Sequence, residues 1–561
     1  MKKSCLVFLA GLFCACTSSK LFPGQRDSYG DTTRSEIFEV SKEGIVTEDV
    51  EHPLDVLDAS LEGFESEDLG RQSPSGDVLE GVESPGEGTA SSNDADVAEI
   101  TEVLFLDDSL EKDTSEQEPP LFDMNLIRDP SKARCEFTDG RTTIVGGRLL
   151  QVWRVTYMSL ESVGGVLREI RIRGFAARPL GSEVVPGIVV VHGLGGYAEE
   201  SHATGLAALL SVFAIAYTGP GGGKPEDPET QSEGEPPMNP QTQSFYRLFD
   251  TATDPRGSWI WAHAVAGMRA ITCLETRPEV DKDRLGITGT SAGAMVSLIA
   301  SGVDDRIKAS VPISGTGAFD IAVKSPLAWQ HYLLAASGLT VDSLEFQRFL
   351  NFLDPIIYAR ASKANIFMVN GSCDEFFPLT AHVATFDAIP NEVHKRTAII
   401  GNFDHGCYQV SAIEPKDKIE ARVQTYVGGA TIAWFSHFFG LSDDFRHIPD
   451  PPLVAVYPAA AGTTNVVASA SNPDNAFEIE NARFWLSNDD AYSFLSMELE
   501  QVGDGIFWGI APVPLQANTI YYIDVQYKTK ALFFPVRFVI SSVPQVPEDL
   551  IPHIRAIWSC I

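Results

Sequence analysis

The run Leu285-Gly286-Ile287-Thr288-Gly289-Thr290-Ser291-Ala292-Gly293 decides how this chain is read. A short apolar strand leads into Gly-x-Ser-x-Gly, and Ala292 to Ser301 then carries a helical pattern. A serine on a tight turn from strand to helix is a nucleophile elbow. The turn forces the serine backbone into strain, and bulk at Gly289 or Gly293 would collide with neighbouring elements. The hydroxyl is thereby presented at a helix N-terminus, where the dipole favours developing negative charge. A plain glycine-rich turn is the alternative reading; the strand before the motif and the helix after it favour the elbow.

Working outward, Val184-Val185-Pro186-Gly187-Ile188-Val189-Val190-Val191 is a continuous β-branched run ending at His192-Gly193-Leu194-Gly195-Gly196. Such a run suits a strand covered on both faces. Similar runs recur at Ala309 to Ile313, Ile366 to Asn370 and Thr397 to Ile400, with helical patterns between them, as in Ser258 to Thr276. This alternation predicts an α/β fold with a doubly wound, mostly parallel sheet. Val152 to Tyr157 and Val166 to Phe175 flank Ser162-Val163-Gly164-Gly165 and read as a hairpin ahead of it.

A serine nucleophile needs a base, and the base needs a group to orient it. Gly371-Ser372-Cys373-Asp374-Glu375-Phe376 follows one strand, and Asn402-Phe403-Asp404-His405-Gly406 follows the next. Both loops lie past the C-terminal ends of strands, where sites of parallel sheets collect. The candidate catalytic set is Ser291 as nucleophile, His405 as general base and then acid, and Asp374 to orient the imidazole. Glu375 and Asp404 are competing carboxylates. Among competing histidines, His394 reads as a surface residue, His263 as packing or solvent-facing, and His192 as shaping its loop. The candidate oxyanion donors are the backbone N–H groups of Ala292 and Leu194. The glycines after residue 192 are not followed by Lys-Ser/Thr, so a nucleotide cradle is not expected. Gly219-Pro220-Gly221-Gly222-Gly223-Lys224 reads as a loop on the rim of the site. No Cys/His spacing suggests zinc, and no cofactor is expected.

Val190-Val191-His192-Gly193, the stretch Arg277 to Gly293, Asp354-Pro355 and the Asp374 and His405 loops together resemble the α/β-hydrolase superfamily. The nearest likeness is to acetyl xylan esterase, dienelactone-hydrolase and prolyl-oligopeptidase-type domains, over about Val152 to Gly440. The resemblance implies hydrolysis through a covalent acyl-enzyme. Ala294 and Met295 follow the elbow where many acetyl xylan esterases and peptidases of this kind have another glycine. The apolar helical stretch at about 319–360 falls where this superfamily commonly carries an insertion over the site. It reads either as helices packed on the sheet or as a cover that sets acyl or leaving-group preference.

The chain has 561 residues and a formal charge of −34, which argues against a nucleic-acid partner. The acid is concentrated: Leu21 to Pro120 holds 28 Asp and Glu against 5 Lys and Arg, a net −23. That segment cannot bury enough apolar area to offset chain entropy and reads as a solvated, disordered tether. Ahead of it, Lys2, Lys3, the apolar run Leu6 to Phe13 and Ala15-Cys16 resemble a bacterial lipoprotein signal, with Cys16 as the lipid anchor. Thr17 and Ser18 lack the Asp that retains such proteins at an inner membrane, so the outer membrane or secretion is expected. The lipid would be the chain's only membrane attachment. Cys373 adjoins Asp374, and Cys407 lies two residues past His405, so a bridge between those loops is one reading and two thiols the other.

Past Pro449-Asp450-Pro451-Pro452, short alternating strands from Leu453 to Ile540 predict a β-sandwich. Its Trp485 and Trp508 read as core aromatics or as sugar-stacking platforms. The expected layout is a signal over 1–15, a tether over 16–130, a hydrolase domain over 131–445 and the sandwich over 450–561. Three functions are compatible: a hydrolase of small-molecule or glycan esters, an exopeptidase or amidase with the same three residues, and a surface binding protein on a hydrolase scaffold. The complete Ser291, Asp374 and His405 set argues against the third, since a binding module would not require all three.

Overall fold

The computed structural model describes residues 121–552 apart from 182, 327, 406–415, 460–461, 532–534 and 548–549. The expected signal, Cys16, nearly all of the acidic tether, Cys407 and Cys560 lie outside the described residues.

The folded part opens with two short helices, α1 (Met124–Arg128) and α2 (Pro130–Ala133). Phe122 and Ile127 are buried, and the Trp261 indole N–H donates to the Leu121 carbonyl at 2.8 Å. Residues 121–130, expected to belong to the tether, are thus part of the folded region. Two apolar side chains suffice to dock a segment whose neighbours are charged.

Strands β1 (Glu136–Val145), β2 (Arg148–Val163) and β3 (Val166–Pro179) form an antiparallel edge. The β2–β3 hairpin turns on Gly164 and Gly165, both at positive φ (58° and 79°), the two-glycine turn that matches strand twist. Next come β4 (Val185–Val191), α3 (Glu200–Leu210), β5 (Phe213–Tyr217), α4 (Trp259–Glu275), β6 (Val280–Thr290), α5 (Ala292–Val303) and β7 (Ile307–Ile313). Four helices follow: α6 (Phe319–Ala322), α7 (Trp329–Ala336), α8 (Leu344–Phe352) and α9 (Pro355–Ala361). Then β8 (Asn365–Gly371), α10 (Leu379–Ala388), β9 (Lys395–Ile400), α11 (Lys416–Val423) and α12 (Gly429–Phe439) complete the hydrolase-like part.

In space the strands run β1-β2-β3-β5-β4-β6-β7-β8-β9, and β5, β4, β6, β7, β8 and β9 are mutually parallel. The order reverses at β4, which has β5 on one side and β6 on the other. Sites of such sheets form at the carboxyl ends of strands beside that reversal. The Val-rich β4 shows why both faces are apolar. Ile188 and Val190 lie in one core with residues of α3 and α12, while Val189 and Val191 lie in another with α4 and α5. Both faces of β4 are thus covered by apolar side chains, and each buried Val or Ile contributes roughly 1.5–3 kcal/mol.

The C-terminal strands are β10 (Leu453–Pro458), β11 (Thr464–Ser469), β12 (Phe477–Ser487), β13 (Leu495–Gly503), β14 (Ile506–Ala511), β15 (Ile520–Thr529) and β16 (Arg537–Ser541). They pair antiparallel in the order β16-β15-β12-β13-β14-β11-β10. The expectation was a β-sandwich domain, which these pairings do not by themselves establish. β16 joins β9 antiparallel at Ser541 and Thr397, and the Ile399 N–H donates to Ser541 Oγ at 2.8 Å. The C-terminal strands thus meet the edge of β9 at this point. Trp485 is buried and donates its indole N–H to Asp524 at 2.6 Å, so it is a core residue and offers no sugar platform. Among the described residues, no helix is long and apolar enough to cross a membrane.

One cross-link was not legible in the sequence: Cys135, just before β1, is disulfide-bonded to Cys273 on α4. It closes a chain separation of 138 residues, tying the entry segment to the helix layer. Replacing both cysteines by serine is expected to lower the unfolding free energy by about 4 kcal/mol, since a long loop loses its constraint in the unfolded chain. Urea titration of the two proteins checks it, and equal midpoints would show that the cross-link carries no stability.

Candidate active site

Ser291 stands between β6 and α5 with φ 59° and ψ −121°, a conformation that L residues avoid. The surroundings enforce it. The Ser291 N–H donates to the Ile313 carbonyl at the end of β7 at 2.9 Å, and the Ser291 carbonyl accepts from Ala294 at 2.8 Å. A Cβ on Gly289 would lie 2.5 Å from the Gly293 carbonyl oxygen, and one on Gly293 would lie 2.3 Å from that of Val191. The glycines are required because three backbone segments meet at the turn.

The structure brings the three sequence-selected side chains together. His405 Nε2 lies 3.0 Å from Ser291 Oγ, and His405 Nδ1 lies 3.1 and 3.0 Å from the two Asp374 oxygens. Asp374 Oδ1 also accepts from the N–H groups of Phe376 and Phe377, both at 2.8 Å. All three residues are buried. Burial alone would discharge His405, but the Asp374 carboxylate against it reverses the sign and lifts the imidazole above its ordinary 6.5. An aromatic stack holds the ring from the side: Phe376 lies 4.2 Å from His405 between ring centres, and Trp329 of α7 lies 4.6 Å from Phe376.

The competing carboxylates are resolved by position. Glu375 Oε2 accepts the backbone N–H of His405 at 3.1 Å and does not reach the imidazole in any hydrogen bond seen here. Burial, then the neighbouring charges of Asp374 and Asp404, push the Glu375 carboxyl up to about 8. Asp404 is buried beside His405 in sequence, and Asp374 is the group on the ring nitrogen.

The other histidines fall out as follows. His394 is exposed. His263 is buried in α4 with its ring 4.5 Å from Trp259 and 5.2 Å from His192, which removes the solvent-facing alternative. His192 shapes its loop: Nε2 accepts the Gly219 N–H at 2.8 Å, and Nδ1 lies 2.6 Å from the Gly193 carbonyl. Burial depresses His192 to about 4, consistent with a neutral ring that donates at Nδ1 and accepts at Nε2. It therefore joins the Leu194 turn to the glycine-rich 219–223 loop.

Leu194 and Ala292, the candidate oxyanion residues, line one narrow apolar pocket next to the elbow. Ala292 begins α5, so its N–H has no acceptor within the helix. Phe319, Trp329, Leu333 and Phe349 form another wall of this pocket. The helices of the 319–360 stretch thus cover the site as well as packing on the fold. Asp354 clasps the stretch at both ends, accepting from Ala318 and Phe319 at 2.9 and 2.8 Å and from Ile356 at 3.1 Å. Sequence reasoning missed Phe376 and Trp329 as supports of the imidazole. Phe376, two residues past Asp374, was the available signal. Among the described residues, no group of three or more His, Cys, Asp or Glu is placed to hold a metal ion.

A parallel sheet reversing at β4, an elbow serine after β6, and acid and histidine loops after β8 and β9 define the class: the fold is that of an α/β-hydrolase. More particularly, the family model described as PhoPQ-activated pathogenicity-related protein matches residues 259–427, from α4 through the elbow and both loops. Among solved structures, acetyl xylan esterase 1 from Thermoanaerobacterium sp. JW/SL YS485 is similar at 16% identity and TM-score 0.43, over 56% of this chain and 92% of that one. An acetyl xylan esterase from Paenibacillus sp. R4 is similar at 17% identity and TM-score 0.41, over 54% and 90%. A Pyrococcus horikoshii acylaminoacyl peptidase is similar at 14% identity and TM-score 0.32, over 48% and 52%.

The raised Glu375 carboxyl has a consequence for stability. The folded protein holds this proton more tightly than the unfolded chain, whose glutamate titrates near 4.5. Native stability therefore declines as pH rises from about 4.5 to about 8 and levels off above. Glu375→Gln lacks that decline, so its unfolding midpoint relative to the parent should climb across the same window. A denaturation series from pH 5 to 8.5 checks this, and a constant difference would contradict it.

Proposed function

We propose that this chain is a serine hydrolase that cleaves a carboxylic ester through an acyl-enzyme intermediate. The observation that carries the reading is the continuous hydrogen-bonded line from Asp374 through His405 to Ser291 Oγ. Ser291 Oγ attacks the ester carbonyl carbon while His405 Nε2 takes the hydroxyl proton. The carbonyl oxygen becomes an oxyanion facing the N–H groups of Ala292 and Leu194. Collapse breaks the bond to the leaving oxygen, which departs as an alcohol with the proton from His405. Water repeats the sequence on the acyl-enzyme, freeing the carboxylic acid and restoring Ser291. Asp374 keeps Nδ1 protonated and Nε2 available throughout.

The pocket beside Ser291 supports an apolar acyl group, because its walls are Leu, Ile, Met, Phe and Trp side chains with no charged group among them. Export with a lipid on Cys16 is part of the same proposal. The Cys135–Cys273 disulfide supports it, since such bonds persist in oxidising compartments.

The test is turnover of p-nitrophenyl esters of increasing acyl length against aminoacyl-p-nitroanilides, with labelling by a fluorophosphonate probe. Esters should be cleaved in preference to anilides, and Ser291→Ala should abolish both labelling and turnover. Asp374→Asn should cost about 10⁴-fold in kcat by leaving the imidazole in the wrong tautomer. An unlabelled parent protein, or an active Ser291→Ala, would overturn the assignment.

The base must be neutral to accept a proton, so kcat/KM should rise with pH through the His405 titration. Since Asp374 raises that titration, the acid limb should lie above pH 6.5. A limb below 6.5 in a pH–rate profile would show that the Asp374–His405 pairing does not persist in solution.

A further inference from the structure

The loops that carry the acid and the base are held from outside the hydrolase part. Asn402, three residues before His405, has φ 52° and pairs reciprocally with the C-terminal sheet. Its Nδ2 donates to the Phe494 carbonyl and its Oδ1 accepts the Phe494 N–H, both at 2.7 Å. The backbone N–H of Asn402 donates to Ser372 Oγ at 2.8 Å, which ties the base loop to the acid loop two residues before Asp374. Beside it, Gly401 lies against the ring of Trp485 so closely that a Cβ would sit 2.4 Å from its atoms. Behind these contacts is a separate apolar cluster. Leu379 and Ile399 flank the two loops, and Trp485, Phe494, Ile520 and Tyr522 come from the C-terminal strands.

From this arrangement we infer that the C-terminal sheet positions the catalytic acid and base, and that Asn402 is the positioning residue through which it acts on His405. The inference rests on the proposed role of His405 as the base. A polar side chain bonding the backbone of another element at both of its atoms fixes distance and orientation together. A short loop from that clamp to the imidazole carries the constraint to within hydrogen-bonding reach of Ser291. The sheet itself touches neither Ser291 nor the apolar pocket through any of these residues, so its effect falls on proton transfer and not on substrate binding.

Asn472 supplies an internal control. It makes the same reciprocal pairing with the Phe477 backbone, at 2.9 and 3.1 Å, wholly inside the C-terminal strands. Asn402→Gly admits the left-handed backbone and removes the clamp, and Asn402→Asp, which keeps a side chain there, separates the loss of the clamp from the added backbone freedom. In the full chain it should lower kcat by about 10- to 100-fold, the scale of a small misplacement at a reacting centre, with KM within about two-fold. The acid limb should fall toward 6.5 as His405 loses its register with Asp374, and fluorophosphonate labelling should slow in parallel. Asn402→Asp, which keeps the acceptor for Phe494, should retain more kcat than the glycine variant. Asn472→Ala should lower the unfolding midpoint with kcat unchanged.

A folded Asn402→Gly protein with parental kcat and acid limb would overturn the inference. So would an Asn472→Ala protein that loses as much kcat as Asn402→Gly, since that would reduce the effect to general stability. Should the parent hydrolyse no ester, the functional proposal fails by itself. The NMR titration of the His405 imidazole in parent and Asn402→Gly then decides the positioning role: a shift supports it and coincident curves sink it.

Discussion

The constraint on which the structure depends is the backbone of one residue. Ser291 is held in a conformation that costs about 1–3 kcal/mol, and it persists because its surroundings leave no alternative. The Ile313 carbonyl fixes its N–H, Gly289 and Gly293 admit the crossing segments, and Gly315 lies where a Cβ would come within 2.5 Å of the Ser291 carbonyl oxygen. Relaxing the turn would require moving β4, β7 and α5 apart, and these carry much of the buried apolar core. The core thus holds the strain, and the strain presents the hydroxyl to His405.

Two carboxyl groups beside that histidine bond it at different atoms. Asp374 accepts two backbone N–H groups and faces the ring nitrogen. Glu375 is pushed toward its neutral form and bonds the backbone of His405. Were Glu375 charged as well, the added field would favour the protonated imidazole and reduce the fraction able to act as base. The Trp329–Phe376–His405 stack then couples the covering helices to the ring by contact alone.

Much of this was legible along the chain. The β-branched runs gave the parallel strands, and the elbow gave Ser291. Asp374 and His405 followed because both sit just past strand ends, where side chains of adjacent strands converge. What the sequence did not disclose depends on distant partners. Cys135 and Cys273 are unremarkable until the entry helices α1 and α2 pack against α4. The last strand was read correctly as a strand, but nothing in its residues says that β9 is its neighbour. Trp485 reads along the chain as a core aromatic or a sugar platform and Asn402 as a loop asparagine, and only that junction gives both their place. The start of the folded part was misplaced because Phe122 and Ile127 are sparse apolar residues among charges, too few to show a period.

The union of β9 with β16 bears on how the protein comes to exist. β9 leads directly to His405, yet the strand that completes its edge is synthesised some 140 residues later. Until then the nascent chain exposes an unpaired strand, a ready template for self-association. Closure by such a late, non-local pairing is intrinsically slow. The surroundings of the His405 loop are therefore complete only once this distant pairing has formed, which places the loop among the late features to settle as the chain folds.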